Sequence, residues 1–361
     1  MCYNKQRKFK KGEKDMFENQ NSTDNIVKTL IGTSHEYVTV YPQDFKKGHG
    51  GSLSVKIVLP CYCQANCSFC FNRLTSETQK HDYAQFFNNL PKTLDMIFNN
   101  IGDRPITLDI TGNEPTFDVK VFSKFMSIIE KYKPKADKIV LTTNGYNLEK
   151  CLTDMVGIVD IVNISVHHYD YINRQSIFDT PYIPDDASLK RIIEMLKNNG
   201  TTCTAVAVLY DKIENFEDFY NNFISWSRKL GFKDARMRSN FCSTDEFIDE
   251  ILDIKMENER MNSVDGLTTK IIVDENTGFE TYILKGVPDL TEYVVGAELV
   301  VDDDGYCYID YNKRYPVNNS NINYFNNLYI FNNDSDKSND LEEVKGPVLN
   351  KNLLIKINSF L

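Results

Sequence analysis

From Ser52 onward, short runs rich in β-branched residues alternate with stretches whose apolar residues recur every three or four positions. That alternation of period two with period 3.6 predicts βα units. The predicted strands are "SLSVKIVLP" from Ser52, "ITLDIT" from Ile106, "KIVLTT" from Lys138, "IVNISV" from Ile161, "TCTAVAVL" from Thr202 and "DARMRS" from Asp234. Between them, "VKVFSKFMSIIEKY" from Val119 and "SLKRIIEMLKNNG" from Ser188 have helical spacing, with Gly200 placed to end the second helix. Ser243 and Glu246 form a capping box that opens a further helix after the sixth strand.

Six units over about residues 52 to 260, joined by right-handed crossovers, imply an α/β fold: a partial (β/α)6 TIM-like barrel, with a flat doubly wound sheet as the alternative. In either, the site forms where loops gather at the C-terminal ends of the strands. The segment Lys270–Asn312 reads differently, with "TKIIVD", "FETYIL" and "AELVVDDDGYCYIDY" joined by Gly, Asp and Asn turns. It is expected to be a small antiparallel extension. Its "DDDG", Asp302 to Gly305, has a calcium-loop flavour but lacks later acidic ligands at the right spacing, so a hairpin turn is the expectation. The resulting division is an N-terminal leader and lead-in over residues 1–50, a core over 51–262, and a C-terminal β extension, Asn-rich loop and terminal helix over 263–361.

Composition changes this picture little. The N-terminus, "MCYNKQRKFKKGEKDMFENQNSTDN", lacks the apolar core of a secretory signal, and no apolar run is long enough for a bilayer. The expectation is a cytoplasmic protein with no membrane partner. A formal charge of −10 disfavours long nucleic acid, though one basic pocket would suffice for a mononucleotide. Nine cysteines, an odd number and mostly scattered, do not make a disulfide framework and point to a reducing compartment.

Four of those cysteines crowd into "LPCYCQANCSFCFNR", Leu59 to Arg73, directly after the first predicted strand. Cys63, Cys67 and Cys70 have the spacing C-x3-C-x2-C. Three thiolates on one short loop can hold three irons of a [4Fe–4S] cluster and leave the fourth without a protein ligand. Structural zinc, with Cys61 as fourth thiolate, is the alternative; no second C-x2-C or His pair follows at zinc-ribbon spacing. Cys61, at the strand end, otherwise reads as a packing residue or as a thiol that stands behind the ligands.

At these residues the chain resembles the radical S-adenosylmethionine (radical SAM) superfamily, in its molybdenum-cofactor-cyclase-like and peptide-maturase branch. The resemblance extends from Ser52 to about Asn240. Phe69 fills the aromatic position of the superfamily's cysteine motif, which implies contact with the cofactor's adenine. "TGNEP", Thr111 to Pro115, is similar to the motif that binds the methionine amino group, which implies roles for Gly112, Asn113 and Glu114; Asn113 stands where the family has a second glycine. "LTTNG" from Leu141 and "NISVHHYD" from Asn163 are similar to strand ends lining the cofactor pocket, which adds Thr142, Asn144 and Ser165. The resemblance implies two cofactors, a [4Fe–4S] cluster on Cys63, Cys67 and Cys70 and S-adenosylmethionine. It also implies an electron donor such as flavodoxin or ferredoxin, and reductive cleavage of S-adenosylmethionine to a 5′-deoxyadenosyl radical that abstracts hydrogen from substrate. His167, His168 and Tyr169, just past the fourth strand, are candidates for binding substrate or relaying a proton, and Arg174 and Arg238 for pairing with a carboxylate.

The substrate is less legible. Only Cys242 and Cys307 follow Cys203, so a C-terminal auxiliary-cluster domain of the SPASM type is not expected. The preferred reading is a peptide or natural-product maturase whose substrate lies between the strand ends and the Lys270–Asn312 extension. The alternatives are a nucleotide or small-molecule radical enzyme, cyclase or viperin-like, and a non-catalytic zinc-binding module.

Overall fold

The computed structural model describes residues 53–70, 82–101, 105–209, 213, 215–239, 245–256, 258–264, 267–284, 298–308, 316–319 and 322. The N-terminal leader, the capping-box side chains of Ser243 and Glu246, most of the Asn-rich loop and the terminal helix lie outside the described residues. The six predicted strands are β1 (Leu53–Leu59), β2 (Ile106–Gly112), β3 (Lys138–Thr143), β4 (Ile161–Ser165), β5 (Thr202–Leu209) and β6 (Asp234–Ser239). Helices α1 (Tyr83–Asn100), α2 (Val119–Ile129), α3 (Leu148–Met155), α4 (Tyr171–Phe178), α5 (Asp186–Asn198), α6 (Phe216–Leu230) and α7 (Asp245–Asp253) follow or join them. Caps fix the helix starts. Helix α5 begins two residues before the predicted Ser188 because the Asp185 carboxylate accepts the Ser188 N–H at 2.8 Å, satisfying a donor the first turn leaves open.

Strands β1 to β6 pair in parallel, in sequence order. Alternate residues, such as Val55 and Ile57 on β1, Leu108 and Ile110 on β2, and Ala205 and Ala207 on β5, pack with α1, α2, α3, α5, α6 and α7 into one buried cluster. Helices therefore cover one face of the sheet. On the opposite face Asn163 and Thr204 are buried as well, because a sheet wound in one direction with helices on one side curls its other face inward. This is the expected partial barrel.

The C-terminal segment does more than extend it. Strands β7 (Glu259–Val264), β8 (Leu267–Asp274) and β9 (Phe279–Leu284) form an antiparallel meander, and β10 (Glu298–Val301), β11 (Cys307–Tyr308) and β12 (Pro316–Val317) form another. Yet β9 joins β6 in parallel, and β10 joins β1 in parallel. The extension thus divides between the two edges of the core sheet rather than forming one unit beside it. Eight parallel strands result among the described residues, each edge finished by a hairpin. The "DDDG" segment is the β10–β11 turn, as expected: Gly305 N–H donates to the Asp302 carbonyl at 2.8 Å. The Asp304 and Gly305 carbonyls accept from Asn89 and Thr93 of α1 at 3.0 and 2.6 Å, so the turn docks on a helix.

Among the described residues no helix is long and apolar enough to cross a membrane.

Gly112 ends β2 opposite Leu59, the last residue of β1. Its φ is +143°, and a Cβ there would stand 2.7 Å from the Leu59 carbonyl oxygen. No side chain fits without moving the strand that launches the cysteine loop. Gly112→Ala is expected to cost about 1–3 kcal/mol, read as a lower urea midpoint with an unchanged m-value; an unchanged midpoint would show that β1 yields freely.

Candidate active site

The loop after β1 carries Cys61, Cys63, Cys67 and Cys70, and all are free thiols. Cys61 is fully buried and hydrogen-bonds through Sγ to the Leu59 carbonyl at 3.3 Å, so it packs at the strand end as expected. Burial raises its thiol far above the usual range. Cys63, by contrast, faces polar groups at the strand ends: its sulfur accepts from the Ala65 N–H at 3.4 Å and from Asn144 Nδ2 at 3.6 Å. Cys67 packs against Phe178 and Ile183, and Cys70 closes a turn by donating its N–H to the Cys67 carbonyl at 3.2 Å.

The loop is held from two sides. On the β2 side, Asn113 donates through Nδ2 to the Cys61 carbonyl at 2.7 Å. Its φ is not positive, so the backbone at this position does not need the glycine of the family motif, and the amide adds an anchor that glycine lacks. On the β4 side, Asn66 donates its N–H to the Phe178 carbonyl at 2.8 Å and its amide to Asp179 at 2.7 Å. Gln64 reaches the Tyr182 carbonyl at 3.2 Å and Asn144 Oδ1 at 3.0 Å.

Glu114 does not face solvent. It is 1% exposed, and its carboxylate joins the β2 turn to the end of β3. Oε1 accepts the Thr116 N–H at 3.0 Å and lies 2.6 and 2.5 Å from the hydroxyls of Thr116 and Thr143. Oε2 accepts the Asn144 N–H at 2.7 Å. Burial raises its carboxyl, against hydrogen bonds that all favour the ionised form. Thr116, Thr143 and Gln64 are thus parts of the site that sequence reading missed; Thr116 lies one residue beyond "TGNEP" and Thr143 between Thr142 and Asn144, close enough to have been weighed with them.

Thr142 and Ser165 are half-buried on the inward face, and Thr142 Oγ1 accepts from Asn163 Nδ2 at 3.4 Å. Phe69 meets the His167 ring edge-on at 5.0 Å, and His167 meets Phe178 at 4.8 Å, so the aromatic of the cysteine loop is backed by β4 and α4. His167 has φ +59° and is 5% exposed; its Nδ1 accepts the Val208 N–H at 3.1 Å. An accepting Nδ1 fixes the neutral tautomer with its proton on Nε2. Burial, with Arg238 beside it, holds His167 down to about 3. His168 accepts the Asp170 N–H at 2.9 Å and packs on Tyr169 and Phe219. Arg174 is not placed to pair with a bound carboxylate. It is buried, ion-paired with Asp186, donates to the Tyr169 carbonyl at 3.0 Å and lies over Trp226. Arg238 is exposed at the end of β6.

The donor set suits an iron–sulfur cluster. Burial, and the negative charge that Glu114 and Cys70 would carry, push the Cys63 thiol up to about 12, so only a cation at the sulfur would keep it as thiolate at neutral pH. Three thiolates on one loop can each bind a different iron of a cluster and leave the fourth iron open to another ligand.

Two consequences are measurable. In Glu114→Gln, either orientation of the amide turns its NH2 toward a backbone N–H, of Thr116 or of Asn144. The loss is expected to be about 2–3 kcal/mol in urea unfolding; a neutral change would place the carboxylate outside this network. For His167 the folded pKa lies below the unfolded 6.5, so its contribution is complete above pH 6.5 and is lost as pH falls toward 3. Stability should therefore drop by roughly 2–3 kcal/mol between pH 6.5 and 4 on its account. His167→Asn, which tolerates positive φ and keeps an acceptor, should flatten that slope; identical slopes would show that His167 titrates normally.

Residues 57–222 match the radical SAM superfamily. Among solved structures, SuiB of Streptococcus suis bound to S-adenosylmethionine is similar at 12% identity and TM-score 0.48, over 74% of this chain and 63% of that one. SuiB bound to its precursor peptide SuiA gives 16% identity and TM-score 0.39 over 52% of this chain, which spans 39% of the SuiB chain. Native anSMEcpe with bound AdoMet and Kp18Cys peptide gives 13% identity and TM-score 0.45, over 85% and 96% of the two chains. No curated protein matches in sequence. With the superfamily match covering the strands and loops that build this site, residues 57–222 are a radical SAM enzyme domain, of the superfamily that works with S-adenosylmethionine and a [4Fe–4S] cluster.

Proposed function

We propose that this chain cleaves S-adenosylmethionine reductively and abstracts a hydrogen atom from a peptide or natural-product substrate. The observation that carries the reading is the junction of three strand ends. The loop bearing Cys63 is tied by Asn113 to the β2 turn and by Asn144 and Gln64 to the end of β3, and Glu114 locks that turn to that end. Cys63, Cys67 and Cys70 would hold the cluster. Bound together there, the cluster and S-adenosylmethionine supply the electron and the 5′-deoxyadenosyl radical, chemistry no side chain provides.

The chain's own residues bind, orient and exclude water. Phe69, backed by His167, offers an aromatic face beside the cysteine loop for the adenine. Gly112 lets the β2 turn approach β1 closely, leaving peptide groups of the "TGNEP" turn near the cysteines. Thr142 and Ser165 add hydroxyls on the inward face, and Asn144 orients Cys63. Neutral His167 keeps an uncharged wall against Phe69, whereas an imidazolium would carry charge and draw water into the pocket. The maturase reading draws support from the sheet's shape. Among the described residues, strand pairing runs from β12 at one edge to β7 at the other without closing, which suits the sideways approach of a bulky substrate. The chain's cytoplasmic location and its flavodoxin or ferredoxin donor belong to the same proposal.

Anaerobic reconstitution is expected to load about four iron and four sulfide per chain. Replacing Cys63, Cys67 or Cys70 by Ala should abolish loading, and Cys61→Ala should retain it. Loading that survives Cys63→Ala but not Cys61→Ala would overturn the ligand assignment. The substrate class is read by deuterium transfer into 5′-deoxyadenosine from labelled peptides encoded near the gene and, separately, from nucleoside triphosphates; transfer from a nucleotide alone would favour the nucleotide enzyme.

A further inference from the structure

One row on the inward face of the sheet is polar across five strands. Strand register sets Thr142, Asn163, Thr204, Asp234 and Glu280 side by side across β3, β4, β5, β6 and β9. A parallel-barrel interior is ordinarily filled by branched apolar side chains. Here hydrogen-bonding groups line one row of it.

Among the described residues six buried side-chain polar atoms lack a hydrogen-bond partner, and four of them lie on this face: Asp109 Oδ1, Asn163 Oδ1, Thr204 Oγ1 and Asp234 Oδ1. Thr204 is 0% and Asn163 9% exposed. Buried polar groups are nearly always satisfied, so four such atoms on one face mark a place where a partner belongs. Three of the four are acceptors only, so the missing partner brings N–H or O–H donors. Burial pushes the Asp234 carboxyl above its usual range, and the Thr204 hydroxyl beside it acts against that shift, so a cationic donor reaching Asp234 would restore its ionised form.

Charge narrows the class. Asp109 is ion-paired with Lys56 one row away. Glu280 accepts the Tyr282 hydroxyl, and Arg236 lies over the Tyr282 ring at 5.8 Å. The two carboxylates of Asp234 and Glu280 therefore outnumber Arg236, and the deep part of the face keeps one net negative charge. Arg238, exposed at the end of β6, stands at the mouth. Asp234 is four residues below it on the same strand, about 13 Å, so a group reaching Asp234 enters as an extended chain.

We propose that this row is a subsite for a cationic nitrogen group of the substrate, an alkylammonium or guanidinium, with Asp234 as its ion-pair partner and Asn163 and Thr204 as its hydrogen-bond partners. The proposal rests on the radical SAM reading and gives its substrate a chemistry: a peptide presenting a lysine or arginine side chain, rather than an anionic nucleotide. The bound head would be held on the inward face while the rest of the substrate lies toward the strand ends.

The test uses the full chain with its cluster reconstituted, and three probe pentapeptides, Gly-Gly-X-Gly-Gly with X lysine, norleucine or glutamate, capped at both ends. Ligand-observed NMR titration is expected to show the lysine peptide binding at least tenfold more tightly than the norleucine peptide, with the glutamate peptide weakest. Asp234→Asn should erase the preference and Thr204→Val should reduce it severalfold. If Asp234→Asn does not fold by circular dichroism, Thr204→Val, which keeps the shape of the side chain, decides alone. Equal binding of the three peptides, or a lysine preference that survives the variants, would overturn the proposal and leave the face to water. Cleavage of S-adenosylmethionine by the same preparation is measured in parallel. Cleavage without lysine preference removes only the subsite, whereas lysine preference without cleavage removes only the enzymatic reading.

Discussion

One buried carboxylate holds the site together. Glu114 sits at the turn after β2, and its two oxygens reach donors on both its own turn and the end of β3. Burying a carboxylate is costly unless donors surround it, and here backbone N–H groups and threonine hydroxyls do so. Because those donors belong to separate βα units, the two strand ends are fixed relative to each other. Asn144, whose N–H Glu114 holds, in turn directs its amide at Cys63 and Gln64. The cysteine loop therefore takes its position from a carboxylate that it does not itself touch through any hydrogen bond described above.

A second brace comes from the other direction. The end of α4 and the segment after it receive Asn66, Cys67, Gln64 and, through His167, Phe69. A loop with four cysteines and, over its described residues 60–70, no helix or strand has little backbone bonding of its own, so its order comes from neighbours that are distant in sequence. Apolar contact at Cys67 and hydrogen bonds at Asn66 both engage the end of α4. Together they keep the thiols at the strand ends, where the helices do not cover the sheet.

The fold was legible where burial is one-sided. Strands β3, β5 and β6 begin and end where the pattern of their residues predicts, since their outer residues pack against helices and their inner ones do not. The extension was legible as strands but not in its destination. Whether β9 pairs with β8 alone or also with β6 depends on which edge remains unpaired after the core forms, and no local pattern encodes that. The polar inner row escaped notice for a related reason. Thr142, Asn163, Thr204, Asp234 and Glu280 are spread over more than a hundred positions, each an ordinary polar residue in a strand, and only the register between strands makes them neighbours.

By itself the sequence determined the succession of βα units, the thiol loop placed after the first strand, and the polar strand ends beside it, because each is a matter of local spacing. Tertiary structure decided the rest. It made Glu114 a buried brace between the β2 turn and the end of β3, gave Asn113 a reason to stand where a glycine was expected, and took Arg174 into an ion pair with Asp186. It also gathered unpartnered polar atoms on the inside of the curl. The physical reason is the same in each case: a polar side chain's role is set by which partners lie within hydrogen-bond reach, and for these residues the partners come from other strands and helices, brought near only when the sheet winds and curls.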